Sequence, residues 1–276
     1  MSKDGDVTVS LRGLEKAFGE LRVLDGLDLD VRRGESVVVI GGSGTGKSVM
    51  LKHVIGLLRP DAGSVLVDGV DLGSLSSREL TRFRRRFGMS FQEGALFDSM
   101  TVAENVGFSL KRLTRWPAER IRDRVEECLR LVRLGGIGDR LPAELSGGMR
   151  RRVGFARAIA HAPEILLFDE PTTGLDPVIT ALVDEVILDM TKGTGTTAIT
   201  ITHDMASAFR IADRIGLLWK GRIVAQAPPE AFRELDDPRV QQFIHGEAEG
   251  PLTDPRELAG AEDAAGETDP DSMIRP

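Results

Sequence analysis

Gly41-Gly42-Ser43-Gly44-Thr45-Gly46-Lys47-Ser48 is the run of residues whose types and spacing most directly suit a chemical task. The pattern G-x-x-x-x-G-K-[ST] lets a backbone curl until its N–H groups converge on phosphate oxygens at a helix N-terminus. In that geometry Lys47 neutralises the β- and γ-phosphates of a nucleotide such as ATP, and the Ser48 hydroxyl ligates Mg²⁺. The plain alternative is a glycine-rich turn that only joins strand to helix. Further along, Ile165-Leu166-Leu167-Phe168-Asp169-Glu170 is an apolar run that delivers two adjacent carboxylates. Asp169 suits a metal shell, and Glu170 suits polarising a water for attack on a γ-phosphate. Alone this would equally be a strand-to-helix boundary; in a chain with a phosphate loop the chemical reading prevails. Ser146-Gly147-Gly148, ahead of the basic run Arg150–Ala160, offers another anion site of bare N–H groups at a helix start. Ser146 also suits a simple helix N-cap.

These residues need elements to position them. Ser36–Ile40 is a continuous β-branched run, as expected of a strand buried on both faces, and Val49–Leu58 after the glycines reads as a helix. Val7–Leu11 and Leu27–Val31 read as strands, as do Ile165–Phe168 and Thr197–Ile201. Val178–Met190 and Met205–Ala212 read as helices. Ile215–Trp219 and Arg222–Ala225 read as a hairpin turning at Lys220-Gly221. The order is that of an α/β fold. In the middle, Pro117 opens a helical run through Ile121, Val125, Cys128, Leu129 and Val132, and Gly135-Gly136 closes it.

The charge is unevenly placed. The chain of 276 residues has 36 Lys+Arg against 43 Asp+Glu, a net of −7. Residues 246–276 hold nine acids and two bases, so residues 1–245 are neutral overall. Residues 78–157 are net +8. Such a segment is either a solvated helical face or a surface facing anionic lipid. A neutral body argues against a generic nucleic-acid binder, and no nucleic-acid partner is expected. One cysteine excludes an intrachain disulfide and fits a reducing compartment. The polar N-terminus lacks a signal-peptide core, and no apolar window is long enough to span a bilayer.

Leu145-Ser146-Gly147-Gly148-Met149 makes the reading specific, because it resembles the signature motif of ATP-binding cassette (ABC) ATPases, with Met149 in place of the usual Gln. The remaining motifs follow the same resemblance. Gln92 matches the Q-loop glutamine that senses Mg²⁺ and the attacking water, and Gly174-Leu175-Asp176 matches the D-loop, which crosses the dimer interface. His203, in Thr202-His203-Asp204, matches the switch histidine on the γ-phosphate. Phe18 stands where the family has an adenine-stacking Tyr; the chain has no Tyr, so the ring stacks without a hydroxyl or else fills the core. His53, His161 and His245 match no motif and read as structural. The resemblance covers residues 7–245. It implies an ABC-type P-loop ATPase with a RecA-like core, an antiparallel β-subdomain and a helical subdomain near 93–157. It also implies that Mg²⁺ is held with ATP by Ser48, Gln92 and, through water, Asp169. Two copies would pair as an ATP-sandwich homodimer, each ATP being closed by Ser146, Gly147 and Gly148 of the other copy.

Phe91–Met100, the Leu-Ser-Gly-Gly-Met-x-Arg-Arg form of the signature, and Asp237–Gly246 are similar to the Mla-type phospholipid-transport ATPases. That implies a polytopic membrane permease, an MCE-domain lipid-binding protein and a small regulatory subunit as partners. The chain would then sit in the cytoplasm, peripheral on the inner face of the membrane. The alternatives are an importer ATPase for polar solutes such as amino acids, an ABC ATPase acting on ribosome or DNA, and a nucleotide-switched regulatory module. Residues 246–276 read either as a solvating acidic extension or as a segment whose first half packs on the paired subunit. Truncation after Gly246, followed by sedimentation, separates these readings: unchanged dimerisation and activity leave only the solvating one.

Overall fold

Ser36–Ile40 is buried along its whole length because its alternate side chains enter two different cores. Val37 and Val39 face one apolar cluster, while Val38 and Ile40 face the other. A strand sandwiched in this way has no polar face, which is why its sequence shows no alternation. The computed structural model describes residues 6–92 and 94–253. Glu93, and the acidic stretch from residue 254 onward, lie outside the described residues.

In chain order the strands are β1 (Val7–Phe18), β2 (Leu21–Arg32), β3 (Ser36–Ile40), β4 (Ala62–Val67), β5 (Val70–Asp71), β6 (Phe87–Ser90), β7 (Ile165–Asp169), β8 (Thr197–Thr202), β9 (Arg214–Trp219) and β10 (Arg222–Ala227). The helices are α1 (Lys47–Val54), α2 (Ser77–Phe83), α3 (Val102–Leu113), α4 (Ala118–Leu131), α5 (Gly147–Ile159), α6 (Pro177–Thr191), α7 (Met205–Ile211), α8 (Pro229–Arg233) and α9 (Pro238–His245). One sheet is antiparallel, of order β2-β1-β4-β5; the other, of order β10-β9-β3-β8-β7-β6, is parallel except for β10. The antiparallel sheet and α1 cover one face of the parallel sheet through Leu24, Leu27, Met50 and Leu51. Helices α3–α7 cover the other face. The fold is the expected α/β arrangement of core, antiparallel sheet and helical lobe.

Two helix ends differ from expectation. Helix α1 stops at Val54 rather than Leu58, because Gly56 at φ 69° donates to His53 O and Leu57 donates to Lys52 O. That pair of bonds is a glycine C-terminal motif. Helix α4 stops at Leu131, short of Gly135-Gly136, with Arg133 itself in the left-handed position at φ 58°. A non-glycine residue there costs about 1–2 kcal/mol. Arg152 offsets it by donating to Val132 O at 3.2 Å and Arg133 O at 3.3 Å.

Arg152 is one of several basic side chains in residues 78–157 spent on backbone carbonyls. Arg124 holds Ile159 O and Ala160 O at the end of α5, Arg157 holds Gly94 O and Ala95 O, and Arg84 holds Ile55 O and Gly56 O beyond α1. A guanidinium at a helix C-terminus also opposes the negative end of the dipole. Part of the local positive charge is therefore architectural.

The short stretch Gly246–Thr253 folds back on α9. Gln242 accepts from Leu252 N at 2.7 Å and donates to Glu247 O and Thr253 Oγ1. Cys128 is fully buried on α4, and burial pushes its thiol up to about 11. No helix among the described residues is long and apolar enough to cross a membrane.

His53 on α1 and His161 after α5 are both held below the ordinary 6.5, chiefly by burial. The unfolded chain takes up these protons near 6.5 while the folded chain resists them. Their contribution is present above that pH and is lost as pH falls below it. Denaturation midpoints are expected to fall between about pH 7.5 and pH 5.5, and His53→Gln should make that fall shallower.

Candidate nucleotide-hydrolysis site

The phosphate loop leaves β3 at Gly41 and enters α1 at Lys47. Gly41 tolerates no side chain: a Cβ there would lie 2.6 Å from Leu218 O and 2.9 Å from Thr45 Oγ1. Gly46, the residue before the helix, has φ 100° and presses against Val23 and Leu24 of β2. Among the described residues, the amides of Ser43 through Ser48 donate to no protein acceptor. An α1 N-terminus with such amides is an anion cradle. Lys47 is only 7% exposed; its Nζ donates to Gly41 O and Gly42 O at 2.8 Å each and lies 3.5 Å from Glu170 Oε1. Burial lowers the Lys47 pKa, and the Glu170 carboxylate opposes that shift.

The ends of β7 and β8 complete the cluster. Ser48 Oγ donates to Asp169 Oδ1 at 3.2 Å, and burial raises the Asp169 pKa against that bond. Glu170 sits one residue past β7 at φ 48°, its N–H bonded to Ile201 O at 3.0 Å. A left-handed glutamate is strained backbone of the kind that clusters at functional sites. Its side chain is 12% exposed, with Oε2 receiving Thr173 Oγ1 at 2.9 Å and lying 2.9 Å from His203 Nδ1. His203, 53% exposed, precedes Asp204, which caps α7 by accepting from Ala206 N and Ser207 N.

Lys47, Ser48, Asp169, Glu170 and His203 are thus brought together. Apart from Gly41 and Gly42, whose carbonyls receive Lys47 Nζ, the other sequence-derived residues described next make no hydrogen bond to that group. Gln92 is exposed at the end of β6, and its carbonyl accepts from Arg151 Nε at 2.7 Å. Ser146 caps α5, accepting from Met149 N. Gly147 is exposed beside it, whereas Gly148 is buried, and a Cβ there would lie 2.6 Å from Ile179 Cγ2. Met149 packs on the helical-lobe core, which accounts for an apolar residue where the family motif has Gln. Asp176 caps α6, accepting from Val178 N and Ile179 N. Phe18 ends β1 half-buried, with the Lys16 ammonium 5.5 Å from its ring centroid, and belongs to neither core cluster. His53, His161 and His245 each bond a backbone carbonyl, as their structural reading requires.

The sequence assigns no role to Thr173, and Arg151 enters it only within the signature run, without a role of its own. A hydroxyl three residues after Glu170 was a readable signal; Arg151 is part of the Leu-Ser-Gly-Gly-Met-x-Arg-Arg run, but that run announces no partner for its side chain. Among the described residues no group of three His, Cys, Asp or Glu side chains is arranged to hold a metal. The Ser48 hydroxyl and the Asp169 carboxylate nonetheless fit one edge of the oxygen shell of a hard divalent cation, the remainder being phosphate and water.

A phosphate cradle facing a strand-end glutamate, beside a helical lobe with a capped Ser-Gly-Gly turn, defines a nucleotide-hydrolysing cassette. The sequence profile of the ABC transporter family matches residues 24–173. The chain is 44% identical over 246 residues to the probable ribonucleotide transport ATP-binding protein mkl of Mycobacterium leprae, covering 89% of this chain and 71% of that one. It is 37% identical over 244 residues to the intermembrane phospholipid transport system ATP-binding protein MlaF of Escherichia coli K12, covering 88% and 91%. The bacterial ABC transporter cassette MJ0796, solved as a dimer, superposes with a TM-score of 0.75 at 33% identity, covering 80% of this chain and 98% of that one. The chain belongs to the ABC transporter family and is an ATP-binding, ATP-hydrolysing subunit.

Gly41→Ala places a methyl group against the Leu218 carbonyl and Thr45. Nucleotide affinity is expected to fall about ten-fold or more, equivalent to ~1.4 kcal/mol, as read by titration with a fluorescent ATP analogue.

Proposed function

We propose that the chain powers transport of a phospholipid or another hydrophobic molecule through a separate polytopic permease. The observation that carries the catalytic part is Glu170, strained, nearly buried and held between Thr173 and His203 beside Lys47. Two ATP molecules lie between paired copies, in the arrangement suggested by the dimeric relative, which has also been solved with ADP and Pi. Lys47, Ser48 and the amides of Gly41–Gly46 hold the phosphates, and Phe18 lies against the adenine. Ser146, Gly147 and Gly148 of the second copy close the site, with Asp176 at the interface. Ser48, Gln92 and, through water, Asp169 would hold Mg²⁺, which supplies charge neutralisation on the phosphates when bound. Glu170 accepts the proton of the attacking water, and His203 and Gln92 complete the shell around the γ-phosphate.

The cargo reading rests on the Mla-like Phe91–Met100 and Asp237–Gly246 stretches and on the near full-length likeness to MlaF. It places the chain on the cytoplasmic face of the membrane, with the permease, an MCE-domain lipid-binding protein and a small regulatory subunit as partners. The mkl relative carries a ribonucleotide in its name, so the cargo is the point to test directly. Lipid co-purifying with the tagged complex supports the proposal, and a bound polar solute in its place overturns it. Glu170→Gln is expected to bind ATP normally and lose turnover, trapping the pair; near-normal phosphate release would remove Glu170 from the role of base.

A further inference from the structure

The signature-bearing helix α5 is bonded to the catalytic loop through a side chain to which the signature motif assigns no role. Arg151 Nε donates to Gln92 O at 2.7 Å, and a terminal N–H of the same guanidinium donates to Thr173 O. Thr173 Oγ1 in turn donates to Glu170 Oε2 at 2.9 Å. The route from helix to carboxylate therefore passes through one side chain and one residue. The planar guanidinium presents its N–H donors in fixed, divergent directions, so it can join two carbonyls of two separate loops; an ammonium on a flexible stem fixes neither direction.

We infer that Arg151 is a positioning residue: it ties the loop of Gln92 to the loop of Thr173 and thereby sets the Glu170 carboxylate for water attack. Arg151 lies three positions beyond Gly148 on the same helix, and Gly148 is wedged against Ile179 of α6. A shift of the α5 N-terminus, where the Ser146 cap sits, moves both carbonyl anchors together. The Thr173 hydroxyl carries that shift to Glu170 Oε2, the oxygen that also faces His203 Nδ1. Closure at Ser146–Gly148 is in this way felt at the base within the same chain.

The inference rests on Glu170 being the base, and the experiment separates the two. Steady-state ATP hydrolysis is measured for the full chain carrying Arg151→Gln, Thr173→Val or Thr173→Ser. Each is measured alone for kcat and KM and again with Glu170→Gln for the residual single-turnover rate. Arg151→Gln and Thr173→Val are expected to lower kcat about ten-fold, ~1.4 kcal/mol in the barrier, with KM changed less than about two-fold. Thr173→Ser, which keeps the hydroxyl, should restore kcat. Neither loss should appear once Glu170 is Gln, because the group being positioned is gone. An unchanged kcat in both variants, or the same proportional loss in the Glu170→Gln background, overturns the inference. If Arg151→Gln lowers the unfolding midpoint too far to assay, Thr173→Val and Thr173→Ser decide it. A Glu170→Gln chain that still hydrolyses ATP normally overturns the catalytic proposal as well. An inactive one beside fully active Arg151 and Thr173 variants overturns the positioning role alone.

Discussion

Everything at the site depends on the register of three adjacent parallel strands. β3 pairs with β8 so that Ile40 lies opposite Thr202, and β7 pairs with β8 so that Asp169 lies opposite Ile201. The phosphate loop, the Asp169-Glu170 pair and the His203 loop consequently leave the sheet at one level and on one edge. β6 ends in step with them, Ser90 opposite Phe168, and delivers Gln92 to the same edge. Open α/β sheets hold ligands outside the carboxyl ends of their strands for this reason. The Glu170 N–H bond to Ile201 O extends the ladder one residue beyond β7 and fixes the left-handed turn that aims the carboxylate. A slip of one residue would exchange the faces of β7, sending Leu167 into the helical-lobe core and Phe168 against the antiparallel sheet.

The helical lobe is fastened to that edge by helix α5. Phe155 meets Phe168 edge-on at 5.4 Å, and a Cβ at Gly154 would lie only 3.0 Å from the Gly94 Cα. Together with the guanidinium bonds to carbonyls, these contacts explain why a segment rich in arginine can be well packed. Each such side chain satisfies acceptors that would otherwise be stranded at a helix end or in a loop. The charge of the lobe is in this sense two populations, one directed inward to the backbone and one left facing water.

The parts of this architecture legible in the sequence were those set by local chemistry. Strand β3 was read to its bounds because burial on both faces leaves an unmistakable apolar run, and the glycines before Lys47 announced a loop by composition alone. The hairpin at Lys220-Gly221 was equally plain, since both residues take positive φ. The less legible parts were set by distant contacts. Helix α4 stops at Leu131, with Arg133 turning left-handed just beyond it, where Arg152, further along the chain, holds the Val132 and Arg133 carbonyls; nothing near Arg133 announces it. Strands β4 and β6 went unread because their glycines, Gly63 and Gly88, interrupt the apolar pattern. Those glycines are needed where backbone passes backbone, at Gly13 O and Ala158 O. Phe97, in the loop before α3, is 43% exposed and leans on Phe108, an arrangement that an apolar residue type does not announce. Ser146 was legible both as a motif residue and as a helix cap, and it caps α5; Asp176 was legible only as a motif residue, yet the bonds it makes within the chain are those of a cap on α6.

The burial of Cys128 has a practical corollary. With its sulfur enclosed on α4 and its thiol raised to about 11, the chain's one native cysteine is almost wholly protonated at neutral pH and shielded from reagents. A thiol introduced on an exposed surface would ionise far more readily and be the one modified. Spectroscopic labels could therefore be attached to the helical lobe and to the antiparallel sheet without first removing the natural sulfhydryl, leaving the packing around α4 intact while opening and closing are followed by distance.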